Sequence, residues 1–177
     1  EKQVAYLKAH PNVGVVGTAL QHIDAEGKMG AIATLPLLPG HLRWCMIFGN
    51  YLPHPSAMMR RETLAQVGFY SEAAYRIEDY DLWTRMLELS DIANLPDALL
   101  KYRSHSQSSM VGSKPPVEIR ATQIVQANVK RLLNQSIEVE AVRWLRAVDN
   151  PGDGENPSTE DAQAQTERLI DALYGAY

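Results

Sequence analysis

The chain has 177 residues, 45% of them apolar, enough to bury a real core in one domain with an appendage. Asp and Glu outnumber Lys and Arg by 21 to 17, giving a formal charge of -4, and the basic residues are scattered. This argues against a nucleic-acid partner, because phosphate binding needs a concentrated positive face. The lone Cys45 leaves no intrachain disulfide and no thiolate metal cluster, and no run reaches the roughly 20 apolar residues of a membrane span, so a reducing, cytoplasmic setting is expected.

The chain opens with "EKQVAYLKAHP", already inside a helical pattern in which Val4 and Leu7 share a face, and with no charged-then-apolar leader. It reads as a piece of a longer protein whose remainder holds half of any site. The helix is expected to stop near His10, because Pro11 cannot continue it. "NVGVVGTALQHID" reads as a strand, with "DAEGK" supplying a tight turn after it. In "LPLLPGHLRWCMIFGN" the prolines frame a loop, and residues 41–48 form a short buried helix ended by Gly49 and Asn50.

"HPSAMMRR" follows as a short strand. His54 and Ser56 around Pro55 either present polar groups to a cleft or belong to a proline-stiffened strand entry. "RETLAQ" is a brief helix running into Gly68. Next, "EDYD" crowds Glu78, Asp79 and Asp81 at the mouth of a helix whose core face is Leu82, Met86 and Leu89, with Trp83 and Leu87 alongside and Asp81 and Arg85 as an i,i+4 pair. Two readings of the carboxylates stand side by side: they cap the helix and meet its dipole, or one is a general base in a cleft.

"DIANLPDALLKYRSH" returns through a turn at Pro96 and Asp97 into a strand over 98–103. Arg103 and His105 lie at its end, where ligand-binding groups collect in open α/β sheets; a guanidinium suits phosphate oxygens, and the imidazole is either a metal or phosphate ligand or a solvated loop histidine. Past "SQSSMVGSKPP" the character changes to amphipathic helices, "VEIRATQIVQANVKRLLN" and "SIEVEAVRWLRAV". An acidic flexible linker near 149–160 then precedes a last helix capped by Ser158 or Thr159. The tempo of short strands and helices is α/β with a helical C-terminal extension. There is no Gly-rich phosphate loop, GxSxG elbow, HExxH or zinc spacing.

In order and spacing, "EKQVAYLKAHPNVGVVGT", "HPSAMMRRETLAQVGFY", "EDYDLWTRM" and "LPDALLKYRSHSQS" resemble the second half of family 2 glycosyltransferases of the GT-A fold, over about residues 1–110. The resemblance implies a partial Rossmann-like three-layer domain, its C-terminal, acceptor-side half, with 111–177 as the extension. It also implies an inverting, metal-dependent enzyme that moves a sugar from a nucleotide-diphosphate sugar to a glycan or lipid-linked acceptor, in bacterial cell-surface polysaccharide synthesis at the inner face of the membrane. By the same resemblance Asp79 is the catalytic base with Glu78 its neighbour, His105 completes the metal or diphosphate contact and Arg103 assists. The segment from His54 through Ser56 to Arg61 borders the acceptor and donor sugar. The Mg²⁺ or Mn²⁺ ligands of an Asp-x-Asp motif are expected upstream, so the fragment alone is expected to be inactive. The C-terminal helices are candidates for a homo-oligomer contact. Two rival readings are a non-catalytic protein-interaction module and a metal-dependent sugar-phosphate hydrolase using the same acidic cluster and His105.

Overall fold

The computed structural model describes residues 1–103, 114–149 and 160–176. His105, the polar segment after Arg103, most of the acidic linker and the proposed caps Ser158 and Thr159 lie outside them. The chain groups into two compact units, Glu1–Met46 with Asn50–Val117, and Ile47–Gly49 with Glu118–Tyr177.

The first unit is mixed α/β. Its spine is β1 (Val13–Ile23), buried almost end to end, as expected of a β-branched run covered on both faces. One edge of β1 pairs in parallel with β4 (Asp91–Arg103) along its whole length. The other edge is shared in succession by β3 (Met58–Met59), antiparallel to Val15 and Val16, and β2 (Met29–Ile32), antiparallel to Gln21 and Ile23. The result is an open, mixed, four-stranded sheet. Helix α1 (Lys2–Ala9) ends where Pro11 demands, with the His10 N–H bonded to the Tyr6 carbonyl. Helix α2 (Pro39–Phe48) starts two residues before the expected position, because Pro39 fits the first turn, where a missing N–H costs nothing. Helices α3 (Arg61–Gln66) and α4 (Glu78–Met86) follow the sequence reading at their starts.

Three expectations need correction. The segment 54–61 is not one strand: His54–Ser56 is a 3₁₀ turn, closed by the Ser56 hydroxyl donating to the Pro53 carbonyl at 2.9 Å, and only Met58–Met59 pairs with β1. Pro55 sets this geometry with its fixed φ and missing donor. Strand β4 begins at Asp91 rather than 98. Its register jumps from Thr18 opposite Leu95 to Ala19 opposite Ala98, so Pro96 and Asp97 stand as extra residues in a bulge where proline's missing N–H is tolerated, and the strand continues through what the sequence reads as a turn. Helix α4 stops at Met86, where both the N–H and the hydroxyl of Ser90 bond the Met86 carbonyl, leaving Leu89 beyond the helix and 56% exposed instead of on its core face.

Val16 of β1 packs with Leu7 of α1, Val13, and Ala93 and Leu95 of β4 in one cluster, and Val15 of β1, Leu42 and Met46 of α2, Leu52, Leu82, Trp83 and Met86 around α4, and Ile92 of β4 are also essentially out of solvent. Each such side chain contributes roughly 1.5–3 kcal/mol of burial. The second unit contains α5 (Lys114–Leu133) from Glu118 onward, α6 (Val139–Asp149) and α7 (Glu160–Ala176). Its buried residues recur at helical spacing: Ala121, Val125 and Val129; Ala141, Val142 and Leu145; Leu169 and Leu173. Asn134, with φ 53°, ends α5 in the left-handed conformation that asparagine tolerates, and the Gln126 side chain ties the following turn by donating to the Ile137 carbonyl at 2.8 Å.

Candidate active site

The acidic cluster divides by task. Asp81 is structural: its carboxylate pairs with Arg85 at 2.7 Å, one helical turn on. Arg85 then extends to the carbonyls of Val67 and Phe69, fastening the loop before α4 onto the helix. The helix is not capped by a side chain, since Ile77 is its N-cap residue. Asp79 turns one carboxylate oxygen to the Tyr80 N–H in the helix's first turn at 2.8 Å, and the other accepts from the Asn50 amide at 2.8 Å. Asp79 thus meets a helix-terminal N–H and is held in place by a residue from the end of α2.

Glu78 is only partly buried, yet its Oε2 is out of solvent and has no hydrogen-bond partner among the described residues. An acceptor in that position asks for an explanation, because such groups almost always have a donor.

Around the two carboxylates stand side chains that the segment 50–54 and the loop before α4 deliver. The His54 Nε2 and the Tyr70 hydroxyl are 2.9 Å apart, their rings 5.6 Å between centroids. The other side of His54 meets the edge of buried Trp83 at 5.9 Å. Trp83 donates its indole N–H to the Leu52 carbonyl at 3.1 Å, so α4 also fixes the backbone leading to His54. Burial raises the ionisation of the Tyr70 phenol above its ordinary value of 10.0, and the charges of Asp79 and then Glu78 push it further in the same direction. His54, Tyr70, Glu78 and Asp79 thus form one neighbourhood.

The other expected site residues are placed elsewhere. The Ser56 hydroxyl accepts from the Thr18 N–H at 3.0 Å and donates to the Pro53 carbonyl, binding the 3₁₀ turn to β1. Arg103 is exposed at the end of β4, donating to the carbonyls of Asp24 and Ala25 in the turn after β1 at 2.9 and 2.7 Å. Among the described residues no three His, Cys, Asp or Glu side chains converge as a divalent cation requires, so the donors here do not by themselves make a metal site. No helix among the described residues is long and apolar enough to cross a membrane.

Sequence reading missed Asn50 and Tyr70. Asn50 reads as a helix stop, and nothing in its local pattern signals a bond to a carboxylate 29 positions on. Tyr70, following Gly68 and Phe69, stands outside any periodic apolar face, which is the one available hint that it serves something other than the core.

No protein-family model matches the chain. Over 107 residues it is 35% identical to the amylovoran biosynthesis glycosyltransferase AmsE of Erwinia amylovora, covering 60% of this chain and 40% of that protein. It is 32% identical over 114 residues to the O-antigen biosynthesis glycosyltransferase WbnJ of Escherichia coli, covering 62% and 43%. An uncharacterized glycosyltransferase of Haemophilus influenzae is 29% identical over 161 residues, covering 84% of this chain and 49% of its own length. That last match is longer than the α/β part, so the similarity runs into the helical segment. The chain spans less than half the length of these curated relatives.

Proposed function

We infer that this chain is part of a glycosyltransferase; the observation that carries the reading is its similarity, across 60 to 84% of its length, to four proteins of that name. Two of them are named for amylovoran and O-antigen biosynthesis, and we place the parent protein likewise in the synthesis of a cell-surface or exported polysaccharide. The donor is a nucleotide-diphosphate sugar and the acceptor a hydroxyl of a growing glycan.

In this proposal Asp79 is the general base. The attacking hydroxyl loses its proton to the Asp79 carboxylate as its oxygen bonds to the anomeric carbon, and the bond to the diphosphate breaks on the opposite face, inverting the centre. Asn50 and the Tyr80 N–H hold the carboxylate so that its remaining lone pairs face the acceptor. A Mg²⁺ or Mn²⁺ ion at the diphosphate belongs to the proposal only with ligands from elsewhere in the parent, and no step assigned here to these residues depends on it.

The test is to incubate the parent with nucleotide-diphosphate sugars, with and without acceptor glycans, and to follow both glycan extension and free sugar. Extension that consumes donor in step with acceptor supports the reading. Free sugar released at the same rate with or without acceptor favours the hydrolase reading, and neither product from any donor counts against the glycosyltransferase reading.

A further inference from the structure

The loop between α3 and α4 places three aromatic side chains in solvent, Phe69 50% exposed, Tyr70 42% and Tyr75 68%, and of these Tyr70 feels the charges of Asp79 and Glu78. Exposed aromatics are common singly, but here three share one short segment whose backbone is under strain. Gly68 and Phe69 take successive left-handed conformations, φ 83° and 63°, and Arg76 takes another at 73°. Such conformations in residues with a side chain persist where the surroundings over-determine them, and they gather at ligand sites. The surroundings do so here: the Phe69 N–H bonds the Leu64 carbonyl at 3.1 Å, and Arg85 of α4 holds the Phe69 carbonyl at 2.8 Å. The aromatic loop is therefore bolted to the same helix that carries Asp79.

We propose that Tyr70 is the side chain on which the acceptor sugar rests: its ring takes the apolar C–H face of a pyranose, and its hydroxyl, oriented by His54, hydrogen-bonds a ring hydroxyl beside the one that attacks. This rests on the reading of the chain as part of a glycosyltransferase. The chemistry matches a carbohydrate. A pyranose has one face of C–H bonds that lies flat on an aromatic ring and a rim of hydroxyls that pair with carboxylate, imidazole and phenol. Tyr70 offers the ring, and His54 and the phenol offer one hydrogen-bonding pair. The phenol keeps its proton at neutral pH, so it remains a donor.

The full-length parent is titrated with methyl glycosides of glucose, galactose, mannose and N-acetylglucosamine without any donor, and saturation transfer from protein to sugar protons is read by NMR. At least one glycoside is expected to bind, with transfer concentrated on the C–H protons of one face. Tyr70→Phe keeps that pattern and weakens binding about threefold to tenfold, the worth of one hydrogen bond; Tyr70→Ala abolishes the pattern. Asp79→Asn stops transfer of sugar but leaves glycoside binding in place, which separates this inference from the catalytic one. Equal binding by folded Tyr70→Ala, or no binding of any of the four by folded wild type, overturns the proposal.

Discussion

At the scale of single residues, few groups hold the carboxylates in place. Asp79 has a backbone donor and a side-chain donor, so removing Asn50 frees the carboxylate to swing without removing it. Asn50→Ala is expected to lower transfer by about tenfold, the effect of one misplaced hydrogen bond to a charged group, with acceptor binding unchanged; an unaltered rate would deny Asn50 its role. The phenol offers an independent check on proximity. Because the folded state holds Tyr70 above its ordinary 10.0, the folded state keeps a proton that the unfolded chain gives up. The associated stability is present below about pH 10 and is lost as pH rises through the raised value. The stability difference between wild type and Tyr70→Phe should be level below pH 9 and decline above it. In a spectroscopic titration, Asp79→Asn should draw the Tyr70 midpoint downward, since one of the charges that raises it is gone. A midpoint indifferent to that substitution would mean that the two groups are not neighbours in solution.

At the scale of elements, α4 organises the site. It supplies Glu78 and Asp79, holds the backbone before His54 through Trp83 and holds the aromatic loop through Arg85. Arg85→Ala therefore removes an ion pair and two carbonyl contacts together, and is expected to cost about 2–3 kcal/mol in chemical denaturation. A loss below half a kcal/mol would show that the loop holds its shape unaided. A second dependence runs through the sheet. A Cβ at Gly17 would stand 2.6 Å from the Asn94 Oδ1 and 3.0 Å from the Leu52 Cγ, so Gly17→Ala must displace the asparagine that holds the Tyr51 carbonyl and the leucine two residues before His54. It is expected to destabilise the fold by about 1–3 kcal/mol, as overpacking does, and to reduce transfer as well; an unchanged denaturation midpoint would contradict this packing.

The elements that could be read from sequence are those with local causes: β1 from its valines, α1 from Pro11, α3 from Gly68, and the start of α4 from its acidic first turn. Those that could not are set by pairing partners. Pro96 signals a break, but β1 runs alongside and carries β4 through it as a bulge; Leu89 continues a helical period, but Ser90 closes the helix first so that Asp91 can enter the sheet. The same contrast holds for the site. Glu78, Asp79 and His54 declare themselves by residue type and local order. Asn50 and Tyr70 join them through contacts 29 and 16 positions apart, which no local pattern encodes.

At the scale of the whole molecule, the chain matches less than half of each of its glycosyltransferase relatives, and in the proposed function it carries the acceptor side and the base. Calorimetric titration with UDP-sugars is expected to show binding by the full parent and none by residues 1–177 alone; binding by the short chain would place a nucleotide site within it. The most direct measurement is the sugar-transfer rate of the parent carrying Asp79→Asn, compared with wild type and with Glu78→Gln, each checked for an unchanged denaturation midpoint. If Asp79 takes the proton, its variant loses about 10²–10⁴ in kcat with acceptor binding intact, and Glu78→Gln loses less. A fully active, folded Asp79→Asn enzyme would contradict the account.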